Sequence, residues 1–107
     1  MPTHAMIDLE TLSTRPDATV ITVGAIKFNP FDDSEPHSGL YLRLNVDEQG
    51  ELGRHVDDNT MAWWSRQKKE IQDEAFGDHE RTSVMEAIKQ INKSVSYTHL
   101  TLPTTLV

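Results

Sequence analysis

Three segments in the first half of the chain predict β-strands, two of them by apolar residues at every second position and the middle one by its β-branched residues. Residues 4–10 alternate apolar with polar positions and therefore predict a β-strand. Residues 18–28 are rich in β-branched residues and predict a central, buried strand. Residues 39–46 carry leucine or valine at alternate positions, which predicts a strand with one apolar face. The polar connection at residues 29–39 contains two prolines and predicts an exposed hairpin turn between the second and third strands.

The second half of the chain changes to a helical period. Residues 47–58 are polar and predict a surface loop. A helix over residues 60–76 is predicted next, with its N-cap at residue 58 or 59 and its end at Gly77. The serine and glutamate of residues 83–86 have the spacing of a capping box, so a second helix is predicted to follow them.

The last fourteen residues, SVSYTHLTLPTTLV, differ in composition from the rest of the chain. They contain no Asp, Glu, Lys or Arg, whereas the preceding segment is dense in all four. The alternation in YTHLTL would suit a terminal strand, but the whole string resembles the translated read-through of a sequencing-library adapter. We therefore interpret residues 94–107 as a non-native tail and residues 1–93 as the native part.

The composition is that of a small, acidic, globular domain. A length of 107 residues, of which 36% are hydrophobic, allows one core. The formal net charge of -7 argues against a broad basic surface, so any nucleic-acid site is expected to be compact. The absence of cysteine excludes disulfides and thiolate metal sites. Because no apolar run approaches the ~20 residues of a membrane span, we expect no membrane association and a cytoplasmic location.

Two carboxylates, Asp8 and Glu10, lie within the first predicted strand. Residues i and i+2 of a strand project from the same face, so the two acids would stand side by side. Like charges this close repel each other unless a cation lies between them, and hard oxygen ligands suit Mg²⁺ or Mn²⁺. The simpler alternative is a strand end at which both acids point into solvent.

The strings MIDLETLST and VITVGAIKFNP, followed by TMAWWSRQ, resemble the DEDD superfamily of 3′-5′ exonucleases. Within that superfamily they are most similar to the bacterial and phage exoribonucleases related to RNase AS. The resemblance covers roughly residues 4–93. It implies an α/β, RNase H-like exonuclease fold that is incomplete here, with three N-terminal antiparallel strands followed by helices.

The resemblance implies a metal-dependent reaction. Asp8 and Glu10 would be the catalytic, metal-binding residues, and two Mg²⁺ or Mn²⁺ ions would be bound in the full-length parent. The substrate would be the 3′ end of a single-stranded nucleic acid, cleaved to nucleoside monophosphates. The residues themselves do not distinguish RNA from DNA, whereas the family favours RNA. Related nucleases often pair, so a homodimer of the full-length parent is compatible with the resemblance.

The resemblance also implies nucleotide contacts for three further residues. Thr11 and Leu12 would line the terminal nucleotide, by backbone contacts and by apolar packing. Trp63 would offer a stacking surface to a base, while Trp64 would pack inward. Packing within the protein is the alternative for Leu12 and for both tryptophans.

The family pattern also requires a second aspartate, and a histidine or tyrosine general base before a final aspartate. No histidine of this chain has that context: His4, His37, His55, His79 and His99. We therefore expect an active full-length parent and an inactive, poorly soluble fragment with an exposed sheet edge. The alternative from another class is a non-enzymatic α/β module that binds a partner through its sheet edge. A phosphatase or nucleotidyl hydrolase that uses the same acid pair is also left open.

Overall fold

The computed structural model describes residues 3–95 and 98–101, which form one sheet and four helices. The strands are β1 Thr3–Thr11, β2 Val20–Phe28, β3 His37–Arg43 and β4 Thr98–Thr101, and their spatial order is β3-β2-β1-β4. The helices are α1 Val46–Glu51, α2 Asp58–Ser65, α3 Lys69–Phe76 and α4 Val84–Val95. Strands β1, β2 and β3 are antiparallel neighbours. The predicted α/β arrangement of three antiparallel strands followed by helices is confirmed.

The period-two pattern of β1 separates an apolar face from a polar face, as predicted. Ile7 is buried with Val23 and Leu42 of the neighbouring strands, and Ala87 of α4 packs on this cluster. The prediction that β2 is central is confirmed. The prediction that β2 is well buried holds for its first half, where Ile21 and Val23 are buried, but not for its second half, where Ile26 is 40% exposed.

A second apolar cluster lies where β1 ends and β2 begins. Leu12 and Ile21 pack there against Trp64 of α2 and Ala75 of α3, and all four are buried. This cluster fixes α2 and α3 against the end of the sheet, beside the acidic segment of β1.

The predicted loop at residues 47–58 is wrong over its first part, since α1 begins at Val46. The third strand also ends at Arg43, before the predicted limit at residue 46. The reason for both differences is Asn45, whose side chain accepts a hydrogen bond of 3.0 Å from the backbone N–H of Glu48 and caps α1.

The single helix predicted over residues 60–76 is two helices, α2 and α3. Its N-cap is Asp57 instead of residue 58 or 59, and the Asp57 carboxylate accepts a 2.9 Å hydrogen bond from the backbone N–H of Thr60. The break between the helices is stabilised by the side-chain amide of Gln72, which donates to the carbonyl oxygens of Trp64, Ser65 and Gln67. Carbonyl groups that a helix end leaves unpaired are thus satisfied by a side chain.

The predicted end of α3 and start of α4 are confirmed. Gly77 follows α3, and a Cβ at this position would lie 2.2 Å from the carbonyl oxygen of Asp73, so only glycine fits. Ser83 precedes α4, and its hydroxyl accepts a 3.2 Å hydrogen bond from the backbone N–H of Glu86.

Part of the predicted non-native tail lies among the described residues as β4. This strand runs parallel to β1 and pairs with residues 3–6. The first two residues of the tail, 94 and 95, belong to the end of α4, and residues 96–97 and 102–107 lie outside the described part. The origin of the tail stays a prediction. Within residues 3–95 and 98–101, no helix combines the length and the apolar character needed to cross a bilayer.

Candidate functional site

Asp8 and Glu10 project from one face of β1, at the middle and the end of the strand. Asp8 is exposed and lies opposite Gly24 of β2, whereas Glu10 is partly buried and lies opposite Thr22. Burial, and then the nearby charge of Asp8, raise the pKa of the Glu10 carboxyl above its ordinary value. A bound cation would oppose the repulsion between the two carboxylates.

A cavity of about 590 Å³ opens directly beside the two acids. The sheet forms its floor, and α2 and α3 form its wall through Trp63, Glu70 and Ile71. Small-molecule sites in proteins have volumes of this order, about 300–1,000 Å³. The cavity therefore has room for a nucleotide in contact with Asp8 and Glu10.

Trp63 and Trp64 have different environments, as predicted from their adjacent positions on a helix. Trp64 is 3% exposed, so the prediction that it packs inward is confirmed. Trp63 is partly buried and lines the cavity. Their rings meet edge to face with centroids 4.9 Å apart, so the buried ring positions the accessible one.

Thr11 and Leu12 are buried at the end of β1. The Thr11 hydroxyl donates a 2.6 Å hydrogen bond to the carbonyl oxygen of Ser13. Leu12 is 4% exposed and belongs to the apolar cluster around Trp64. Both side chains thus make internal contacts, and their contacts to a nucleotide stay predictions.

Three residues of the site, Tyr41, Arg43 and Glu74, have no role in the sequence-based prediction. Tyr41 lies on the cavity wall, and the Arg43 guanidinium lies 5.0 Å from the centroid of its ring. Arg43 also pairs with the Glu74 carboxylate at 2.5 Å, which joins β3 to α3. Burial, followed by a hydrogen bond with Glu74, raises the pKa of Tyr41. The sequence does carry a signal, because Tyr41 and Arg43 occupy the polar face of the third predicted strand.

A second polar link holds the chain that follows β1. The Ser13 hydroxyl and Nδ1 of His55 are 2.6 Å apart. The backbone N–H of Asp57 donates to the carbonyl oxygen of Leu12 at 2.8 Å. These bonds fix the segment after Glu10 against the chain that enters α2.

The carboxylate pair does not extend into a larger ligand set. Among the described residues, no group of three or more His, Asp or Glu side chains could hold a metal ion. Glu70 and Glu74 line the same cavity without completing such a group with Asp8 and Glu10. Two carboxylates are compatible with one weakly held divalent ion.

Comparison of the chain with protein-family models gives a match over most of its length. A family described as the 3'-5' exoribonuclease Rv2179c-like domain matches residues 3–102. No curated protein matches the chain.

Proposed function

The chain belongs to the Rv2179c-like family of 3'-5' exoribonuclease domains, and from this membership we infer that Asp8 and Glu10 act at the 3′ end of single-stranded RNA. The observation that supports this proposal is the position of both carboxylates at the edge of a nucleotide-sized cavity. We assign the full-length parent to the DEDD superfamily, in the branch related to RNase AS. Its products would be nucleoside monophosphates, and it would act as a homodimer.

The donor set is suited to Mg²⁺ or Mn²⁺. Asp8 and Glu10 would hold the metal, which would supply charge stabilisation at the phosphate and an acidified water. Asp8 is the more accessible of the two carboxylates, and the partly buried Glu10 lies farther along the strand. Trp63 would flank the terminal base inside the cavity.

We further propose that this chain binds a divalent ion and a 3′ nucleotide but hydrolyses RNA poorly or not at all. The described residues supply two carboxylates in place of a group of three or more. Hydrolysis also needs a group that removes a proton from the attacking water, and no histidine lines the cavity among the described residues. Tyr41 does line it, but burial raises the pKa of its phenol, which disfavours the deprotonated form that a base requires. Robust Mg²⁺- or Mn²⁺-dependent release of nucleoside monophosphates by the purified chain would overturn this proposal.

The metal role is tested by thermal unfolding of the whole chain during a titration with MnCl₂. A ligand that binds only the folded state, present at ten times its dissociation constant, stabilises it by about 1.4 kcal/mol. We expect this response in the unmodified chain and its loss in Asp8→Asn. Asp33→Asn is the matched control, because Asp33 is exposed on the β2–β3 connection and does not line the cavity.

The same titration distinguishes the competing function. If the chain shows no Mn²⁺ response and Asp8→Asn unfolds like the original, Asp8 and Glu10 are acids that bind no metal ion. The non-enzymatic interaction module would then be the better description.

A further inference from the structure

A second depression, of about 360 Å³, lies on the same face of the sheet as the cavity beside Asp8 and Glu10. The depression and the cavity share Asp8, Gly24 and Tyr41 as lining residues. From these three shared residues, the depression extends over the sheet past Met6 and Ile26. The two spaces therefore form a continuous path that crosses the sheet beside the carboxylate of Asp8.

Gly24 keeps this path open. It lies between Asp8 on β1 and Tyr41 on β3, since Asp8 pairs with Gly24 and Gly24 pairs with Tyr41. A Cβ built at Gly24 would have one neighbour within 4 Å outside the adjacent residues, Cδ2 of Tyr41 at 3.9 Å. A methyl group at this position would thus occupy space that is now empty, at an ordinary contact distance from the Tyr41 ring.

Tyr41 presents an aromatic surface beside this path. Its side chain is half exposed, with 50% of the residue surface accessible. Arg43 lies over the ring and is itself fixed by its ion pair with Glu74. A base can stack on the ring only from the side that Arg43 leaves uncovered. Because these contacts hold the ring before any ligand arrives, less conformational entropy would be lost on binding.

The cavity and the depression differ in shape and charge, and this difference would orient a bound RNA strand. The cavity has a helical wall that carries Glu70 and Glu74, whereas the depression lies on the sheet beyond that wall. The 3′ end of an RNA can lie against the helical wall of the cavity, but the rest of the RNA strand must leave the site on an open side. The two glutamates would also repel additional phosphates, so a continuing strand is favoured to run away from α3.

We propose that Tyr41 stacks on the base of the second nucleotide from the 3′ end, with its sugar over Gly24, while the terminal nucleotide occupies the cavity beside Trp63. This inference rests on the proposed function, because it assumes a single-stranded RNA substrate. It makes Tyr41 and Gly24 residues that contribute more to the binding of a dinucleotide than to the binding of a mononucleotide, although both also line the cavity.

The test compares two probes, AMP and the ribodinucleotide pApA with a phosphorothioate linkage that resists cleavage. Affinities are measured by isothermal titration calorimetry in Mg²⁺, for the whole chain and its variants. We expect the original chain to bind pApA more tightly than AMP. Tyr41→Ala should weaken pApA binding about tenfold, because one base-stacking contact is lost. AMP binding should weaken less, since Tyr41 lines the cavity but does not stack on the terminal base. Tyr41→Phe retains the ring and should bind both probes like the original.

Two further variants separate stacking from folding. Gly24→Val places a larger group in the path, and valine is favourable in a strand, so it should weaken pApA binding more than AMP binding without loss of thermal stability. Phe31→Ala removes an aromatic residue that is 69% exposed and lines neither space, so it should change neither affinity.

The outcomes distinguish this inference from the function on which it rests. If the original chain binds both probes, and Tyr41→Ala and Gly24→Val leave pApA binding unchanged or weaken both probes equally, the second subsite is wrong and the nuclease proposal stands. If the original chain binds neither probe, the proposed function fails, and the subsite fails with it.

Discussion

The indole N–H of Trp64 donates a hydrogen bond of 2.9 Å to the backbone carbonyl oxygen of Thr11. Trp64 belongs to α2, and Thr11 is the last residue of the acid-bearing strand β1. Both residues are buried, so the bond is shielded from water. This contact between residues far apart in sequence holds the helical wall of the cavity against the strand that carries Asp8 and Glu10.

Replacement of Trp64 by phenylalanine should destabilise the chain more than the same replacement at Trp63. Trp64→Phe removes the donor to the buried Thr11 carbonyl, which costs about 1–3 kcal/mol. Trp63→Phe keeps an aromatic ring at a partly exposed position and should cost less than about 1 kcal/mol. Urea unfolding of the two variants measures the difference. Equal losses would show that packing, rather than the hydrogen bond, determines the role of Trp64.

Gln49 completes the hydrogen bonding at the start of β2. Its side-chain oxygen accepts from the N–H of Val20 at 2.8 Å, and its amide nitrogen donates to the carbonyl of Val20 at 2.8 Å. Gln49→Leu should leave both backbone groups unpaired and cost at least about 2 kcal/mol. The control is Gln90→Leu, since Gln90 makes an exposed hydrogen bond on α4. A Gln49→Leu variant as stable as the control would contradict this assignment.

Glu10 is expected to make the folded state less stable as the pH rises. Its pKa is raised in the folded state by burial and by the charge of Asp8, so the folded state binds the proton more tightly than the unfolded state. Stability is therefore lost as the pH rises from the unfolded value, ~4.3, through the folded pKa. Glu10→Gln should raise the Tm near neutral pH in metal-free buffer and have little effect at lower pH. If the Tm of the original chain and the Tm of Glu10→Gln changed with pH in parallel, the expected effect of Glu10 would be ruled out.

Asp57 should have the opposite pH dependence. Hydrogen bonds from the backbone N–H and the hydroxyl of Thr60 lower the pKa of the Asp57 carboxyl. An acid with a lowered folded pKa contributes stability above its unfolded value, ~3.9, and this contribution is lost as the pH falls through the folded pKa. Asp57→Asn should keep the helix cap at neutral pH and make acid unfolding less steep. Asp57→Ala should lower the Tm at every pH. Thermal unfolding of both variants, followed by circular dichroism from acid to neutral pH, tests these expectations.

The three antiparallel strands could be predicted because each has a local signal, the alternation of side chains in β1 and β3 and the β-branched residues in β2. The errors lie where a distant contact determines the local structure. Helix α1 forms in a polar, glycine-containing segment because Asn45 caps it and Gln49 bonds to β2. The break between α2 and α3 contains neither glycine nor proline, and the amide of Gln72 stabilises it instead.

The same distinction applies to the candidate site. Asp8 and Glu10 are two positions apart on one strand, so their common face follows from the strand period. The Arg43–Glu74 pair joins residues 31 positions apart on different elements, and no local pattern predicts it. The cavity itself depends on how α2 and α3 pack against the sheet, which is a property of the tertiary structure.

The floor and the wall of the cavity differ in how they are held in the folded state. Strands β1 and β2 form a hydrogen-bonded ladder with a register shift between Glu10 and Thr11, whereas the wall consists of two eight-residue helices with a break between them. Helices this short have little stability of their own and depend on anchors such as Trp64 and Ala75. Opening of the wall alone therefore requires less free energy than global unfolding. Amide protons of α3 should therefore exchange with deuterated solvent before those of β1. The entrance to the cavity would widen each time the wall opens.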